Sequence, residues 1–141
     1  MLYWDTSALF AFIIPEKLSI GLRAFVESHG ETPTYSSLIT LLEFESAIER
    51  RLSDRTLTAR EMDKARSFSL EFRKTASLLP LHLNALDQAL HLQKIYKLRP
   101  GDAIQLSAAR TGTSNPVKTV FLCLDEKLNE AAKREGFQVF S

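Results

Sequence analysis

The 141-residue chain carries 18 Lys and Arg against 17 Asp and Glu, a formal net charge of +1, with 45% hydrophobic and 25% charged residues. That balance excludes a disordered or fibrous chain and suits one core, so a single domain over residues 1–141 is expected. A near-neutral charge also excludes the global basic field of many nucleic-acid binders; such a partner must be held by local patches or through metal ions. The one cysteine, Cys123, cannot pair within the chain and sits in an apolar run, which reads as a buried thiol in a reducing compartment. The amino terminus lacks a basic region followed by a long apolar one, and no run approaches the ~18 apolar residues of a membrane span. A soluble, cytoplasmic protein without a membrane partner is the expectation.

In chain order, Met1 to Trp4 is short, apolar and aromatic, a buried strand. Asp5-Thr6-Ser7 hands it to a helix over 8–14 that Pro15 stops. Apolar residues at helical spacing predict a second helix over 18–28, with Gly30 at its C-cap. Thr34-Tyr35 is a short strand, and Ser36-Ser37 can cap a helix from 38 to about 51. Thr58-Ala59-Arg60-Glu61 is a capping box opening another helix to about 74. A strand follows over 77–81, pushed to an edge by Pro80, then helices over 85–96 and 102–109. After a loop over 111–116 come a strand over 119–124, a helix from Asp125 to about 134, and a closing strand over 137–140. Short strands alternating with amphipathic helices mean an α/β fold, its sheet of about five strands mainly parallel.

Asp5 ends an apolar strand, and the carboxyl edge of an open α/β sheet is where ligands bind. Asp5, Asp102 and Asp125 each also read as ordinary helix N-caps. Glu43 does not, since it lies inside Leu38-Ile39-Thr40-Leu41-Leu42-Glu43-Phe44. A buried carboxylate there needs a partner, a proton or a cation. At 100° per residue, however, Glu45 shares an arc with Leu38, Leu41, Ile48 and Leu52, while Glu43 sides with Ile39, Ala47 and Arg50. The wheel therefore singles out Glu45, and a salt bridge to Arg50 or Arg51 accounts for either acid.

Taken together, these acids and their contexts resemble the PIN-domain family, and within it the VapC-like toxin nucleases. The matching stretches are Trp4-Asp5-Thr6-Ser7-Ala8-Leu9, Leu41-Leu42-Glu43-Phe44-Glu45-Ser46-Ala47, Arg99-Pro100-Gly101-Asp102-Ala103-Ile104-Gln105-Leu106 and Phe121-Leu122-Cys123-Leu124-Asp125-Glu126. The family often has a hydroxyl residue where Cys123 stands. The resemblance implies a PIN-like fold and hydrolysis of RNA by an endoribonuclease using Mg2+ or Mn2+. It implies Asp5, Glu43, Asp102 and Asp125 as catalytic metal ligands, with Glu45 or Glu126 as possible assistants. Thr6, Ser7, Arg50 and Arg99 are candidate phosphate contacts. It further implies a small antitoxin protein as partner, and a homodimer for which Phe44, Ile48, Leu52, Phe68 and Phe72 offer apolar material; core packing explains them equally well.

An all-carboxylate donor set suits hard cations, and converging acids repel unless a divalent ion sits among them. The basic residues over 49–74 can steer an RNA backbone or form a solvated helical pair. His29, His82 and His91 lie outside the motifs and read as surface or packing residues. The alternatives are a solitary PIN-domain RNA-processing nuclease, a non-catalytic binding module of the same fold, and a phosphoacceptor α/β domain. The last wants a second acid near the first strand, where Ser7 stands.

Overall fold

A computed structural model describes residues 1–140 and shows five short parallel strands between two layers of helices. The strands are β1 (Leu2–Trp4), β2 (Thr34–Ser37), β3 (Ser77–Leu79), β4 (Val120–Leu122) and β5 (Gln138–Val139), in the order β3-β2-β1-β4-β5. The helices are α1 (Thr6–Ile13), α2 (Ser19–Ser28), α3 (Ile39–Ser53), α4 (Ala59–Thr75), α5 (Leu83–Tyr96), α6 (Pro100–Thr111) and α7 (Glu126–Arg134). This is the expected α/β architecture, with every strand pairing parallel.

Parallel strands covered on both faces are apolar throughout, and β1 and β4 are buried at every position. Alternation splits them between two cores. Leu2, Trp4, Val120 and Leu122 join Phe44 and Ile48 of α3, Phe72 of α4 and the apolar side of α1. Tyr3 and Phe121 face the other way, onto Leu106 of α6 and Leu128 of α7, and their rings stack 5.1 Å apart. Phe44, Ile48 and Phe72 are buried in the first core, and Leu52 and Phe68 pack against it. All five residues offered for a dimer surface are therefore used inside the fold.

Local chemistry moved several expected boundaries. Asp5 accepts the Ser7 amide at 3.0 Å, so α1 starts at Thr6 rather than residue 8. Ser36 and Ser37 finish β2, and Leu38 takes the N-cap position of α3, while Ser37 Oγ still accepts the amide of Ile39, its first residue, at 3.3 Å. Pro100, with its fixed φ and no N–H to lose, takes the first position of α6. Asp102 consequently lies inside the first turn and is no N-cap, whereas Asp5 and Asp125 are. Thr58 and Glu61 form the capping box of α4, as read from the sequence. Along α3 the buried stripe is Thr40, Phe44 and Ile48, a phase the wheel misjudged because Thr40 belongs to the core.

Among the described residues no helix is long and apolar enough to cross a membrane. Where α6 ends, Gly112 passes so close to β2 that a Cβ would stand 2.2 Å from Tyr35 Cε2 and 2.7 Å from Leu79 Cδ1. The Tyr35 ring is held by its hydroxyl on the Ala109 carbonyl at 2.8 Å and cannot yield. Gly112→Ala is predicted to cost about 1–3 kcal/mol by overpacking. In urea its unfolding midpoint should fall clearly below the parent's; an unchanged midpoint would contradict this packing.

Candidate functional site

The chain builds outward from β1 through β2 to β3 and then crosses to the other side of β1 for β4, so the carboxyl ends of β1 and β4 form a topological switch point. Asp5 follows β1 and Asp125 follows β4, and the two loops are stitched together. The Asp5 amide donates to Leu122 O at 3.0 Å, and the Leu124 amide donates to Ser7 Oγ at 3.0 Å. Ser7 in turn donates its hydroxyl and its amide to Asp5 Oδ2, at 2.5 and 3.0 Å. Asp125 Oδ1 accepts the Leu128 amide at 2.8 Å. Beneath them, Cys123 Sγ accepts the Asp125 amide at 3.2 Å, filling a role suited to a hydroxyl. Burial pushes its thiol up, so it stays neutral.

Glu43 reaches the same place from α3. Its Oε2 takes the Thr6 hydroxyl and Gln105 Nε2, the latter at 2.7 Å. The expected ion pair with Arg50 or Arg51 is not made; Arg51 pairs with Glu16 at 3.4 Å. Glu45 points outward and binds Arg66 of α4 at 2.7 Å, which explains an acid on the arc the wheel had taken as apolar. Gly101 makes room for Glu43, since a Cβ there would stand 2.8 Å from Oε1.

Asp102 arrives from α6. Lys97, held in the left-handed region at φ 54°, ends α5 and turns the chain toward Pro100. That turn places Arg99 beside Asp102 at 3.2 Å and 3.9 Å from Asp125 Oδ2. Arg99 is 78% exposed and bridges the two acids from the solvent side.

All four acids line one cavity of about 880 Å3, together with Thr6, Ser7, Arg50 and Arg99. Each carboxylate is held through one oxygen. Asp5 Oδ1, Glu43 Oε1 and Asp102 Oδ1 accept no N–H or O–H, and Asp125 Oδ2 meets only the distant Arg99. Among the described residues no three His, Cys, Asp or Glu side chains are gathered tightly enough to enclose an ion as they stand. Asp5, Asp102 and Asp125 are satisfied by donors beside them in the chain, whereas Glu43 is held from α1 and α6. Thr6 and Ser7, expected to face phosphate, have their hydroxyls on Glu43 and Asp5. Arg50 and Arg51 are the parts of the basic stretch that reach the cavity. Arg66 and Lys74 are instead engaged with acids on the helix pair. Glu126 is exposed beyond Asp125, and His82 and His91 are exposed on α5 and its approach, away from the cavity.

Sequence reasoning missed Gln105. It is 1% exposed, and it links Tyr3, Thr40, Thr6 and Glu43. A neutral amide inside the apolar run Ala103-Ile104-Gln105-Leu106 was the available signal, because such a group has to be satisfied.

The sequence model of the PIN domain family matches residues 2–134. No curated protein matches by sequence. Among solved structures, the chain resembles FitAcB from Neisseria gonorrhoeae, with 14% identity and TM-score 0.69 over 100% of this chain and 97% of that one. It resembles a chain of a toxin-antitoxin complex from Klebsiella pneumoniae, with 18% identity and TM-score 0.65 over 99% and 95%. PAE2754 from Pyrobaculum aerophilum is similar at 17% identity and TM-score 0.65, over 98% and 89%.

Desolvation raises the pKa of Asp5, and the charge of Glu43 adds to it, while the bonds from Ser7 oppose the rise. A raised folded-state pKa favours folding at low pH, and that contribution is lost as pH rises through the folded value. Asn keeps the cap acceptor without the charge. In metal-free buffer near pH ~7, Asp5→Asn is therefore predicted to melt above the parent, by roughly 2–4 °C per kcal/mol recovered. The gap should close toward pH ~4, where the free carboxyl titrates. A variant melting lower at every pH would show that the carboxylate stabilises the fold.

Proposed function

The chain belongs to the PIN domain family, and from that premise we propose that it is a metal-dependent endoribonuclease acting as the toxin of a toxin–antitoxin pair. One observation carries the proposal: four acids from four segments surround one cavity at the switch point, each anchored through one oxygen. Capping and core packing need those anchors but not their convergence. A single PIN domain over residues 1–141 is part of the same proposal.

Asp5, Glu43, Asp102 and Asp125 would hold Mg2+ or Mn2+, directly or through water. Oxygen-only donors suit these cations, and the one thiol nearby is buried and neutral. A cation there supplies Lewis acidity for activating water and for neutralising the phosphodiester and its leaving oxygen. The chain's own residues do the rest. Ser7 fixes Asp5 while joining the two strand ends, so these acids keep their spacing. Thr6 holds Glu43. Arg99, exposed and bridging Asp102 and Asp125, can exchange those carboxylates for a phosphate once a cation neutralises them. Arg50 offers a second phosphate contact along the cavity wall.

The antitoxin partner is proposed because a structural neighbour is described as a toxin-antitoxin complex. For that partner and for a homodimer, the apolar side chains at hand are exposed ones such as Leu42 and Leu83.

Purified protein is predicted to cut single-stranded RNA with Mn2+ or Mg2+ and not with EDTA. Asp102→Asn should lower the rate by about a hundredfold or more. Cleavage that persists in EDTA, or in that variant, would rule out the metal mechanism. A short reading frame overlapping just upstream of the gene is predicted for the toxin role; a gene standing alone would favour a solitary processing nuclease.

A further inference from the structure

Gln105 has no role in capping or in the sheet, yet its side chain is buried and bonded to Glu43, which lines the acid cavity. An amide placed there without partners would be costly, and its shortest donated bond goes to Glu43. The Tyr3 hydroxyl lies 2.5 Å from Oε1. Nε2 lies 2.7 Å from Glu43 Oε2, 3.0 Å from Thr40 Oγ1 and 3.1 Å from Thr6 Oγ1. The reverse orientation would set the amide oxygen against the Glu43 carboxylate. Tyr3 is wholly buried, and its hydroxyl donates into Oε1 and so fixes the amide.

The consequence falls on the two oxygens of Glu43. Oε2 is taken by Gln105 and Thr6, whereas Oε1 lies where the missing Cβ of Gly101 leaves space. We propose that Gln105, oriented by Tyr3, is a positioning residue that turns Glu43 so that Oε1 is the oxygen offered to the cation. This rests on the cation site proposed above. It also gives Tyr3 a function at a distance: a core hydroxyl on β1 sets the orientation of an acid on α3 through an amide on α6. Groups that hold a ligand carboxylate from behind typically change metal affinity by about 10–100-fold.

The test is Mn2+ binding to the full chain by isothermal titration, with melting in EDTA to confirm folding. Gln105→Met is predicted to weaken binding by about tenfold or more. In a Glu43→Gln background the same change should have no further effect, because Gln105 acts through Glu43. A plug that merely fills the core would weaken binding equally in both backgrounds, and that result would overturn the proposal. Tyr3→Phe removes the orienting bond without touching Glu43 or the cavity. It should produce a smaller loss with the same dependence on Glu43, and it carries the test if Gln105→Met does not fold. Parent protein that binds no Mn2+ overturns the cation site itself. Parent that binds, with variants that bind equally well, overturns the positioning role alone.

Discussion

Like charges gathered at one edge of a sheet repel, and in this chain every such charge has a donor of its own. Ser7 holds Asp5, the Leu128 amide holds Asp125, Thr6 and Gln105 hold Glu43, and Arg99 holds Asp102. These bonds satisfy one oxygen of each acid, and all four acids line the one cavity. The same groups knit the fold. Ser7 joins the ends of β1 and β4, and Gln105 joins α6 to α3 through Glu43 and Thr40. Structure and candidate chemistry therefore draw on one set of hydrogen bonds.

The raised pKa of Asp5 marks the strain in this arrangement. Asp5 is 6% exposed and accepts two bonds from Ser7, and burial still disfavours its charge. Arg99 gives Asp102 and Asp125 a cationic neighbour from within the chain, on a side chain open to solvent and easily displaced. A divalent cation would relieve Asp5 and Glu43, which no basic side chain among the described residues pairs with, more than it would the other two.

The number and parallel sense of the strands and the helix placement were legible because parallel strands and amphipathic helices obey different periods; the order of the strands in the sheet was not. The N-cap readings of Asp5 and Asp125 were also legible, since capping is local chemistry. Asp102 was misread because Pro100 opened α6 two residues early. The Glu43 and Glu45 ambiguity could not be resolved on a wheel. A wheel knows one helix, while the answer lay in Arg66 on α4 and in Gln105 on α6. Phe44, Ile48 and Phe72 could have been surface or core until the packing of α1, α3 and α4 placed them. Contacts between segments distant in sequence leave no local pattern that names the partner: the apolar run around Gln105 marks an amide that must be satisfied, but not Tyr3, Thr6 and Glu43 as what satisfies it.

The most direct test of the central claim is the melting temperature as a function of Mn2+ concentration. If the four acids form a divalent-cation site, the parent's melting temperature rises with the logarithm of Mn2+ once the site begins to fill, as binding to the folded state alone requires. That rise should be largely lost in Asp125→Asn. A parent melting temperature that stays flat across the titration, or a rise undiminished in that variant, would contradict it.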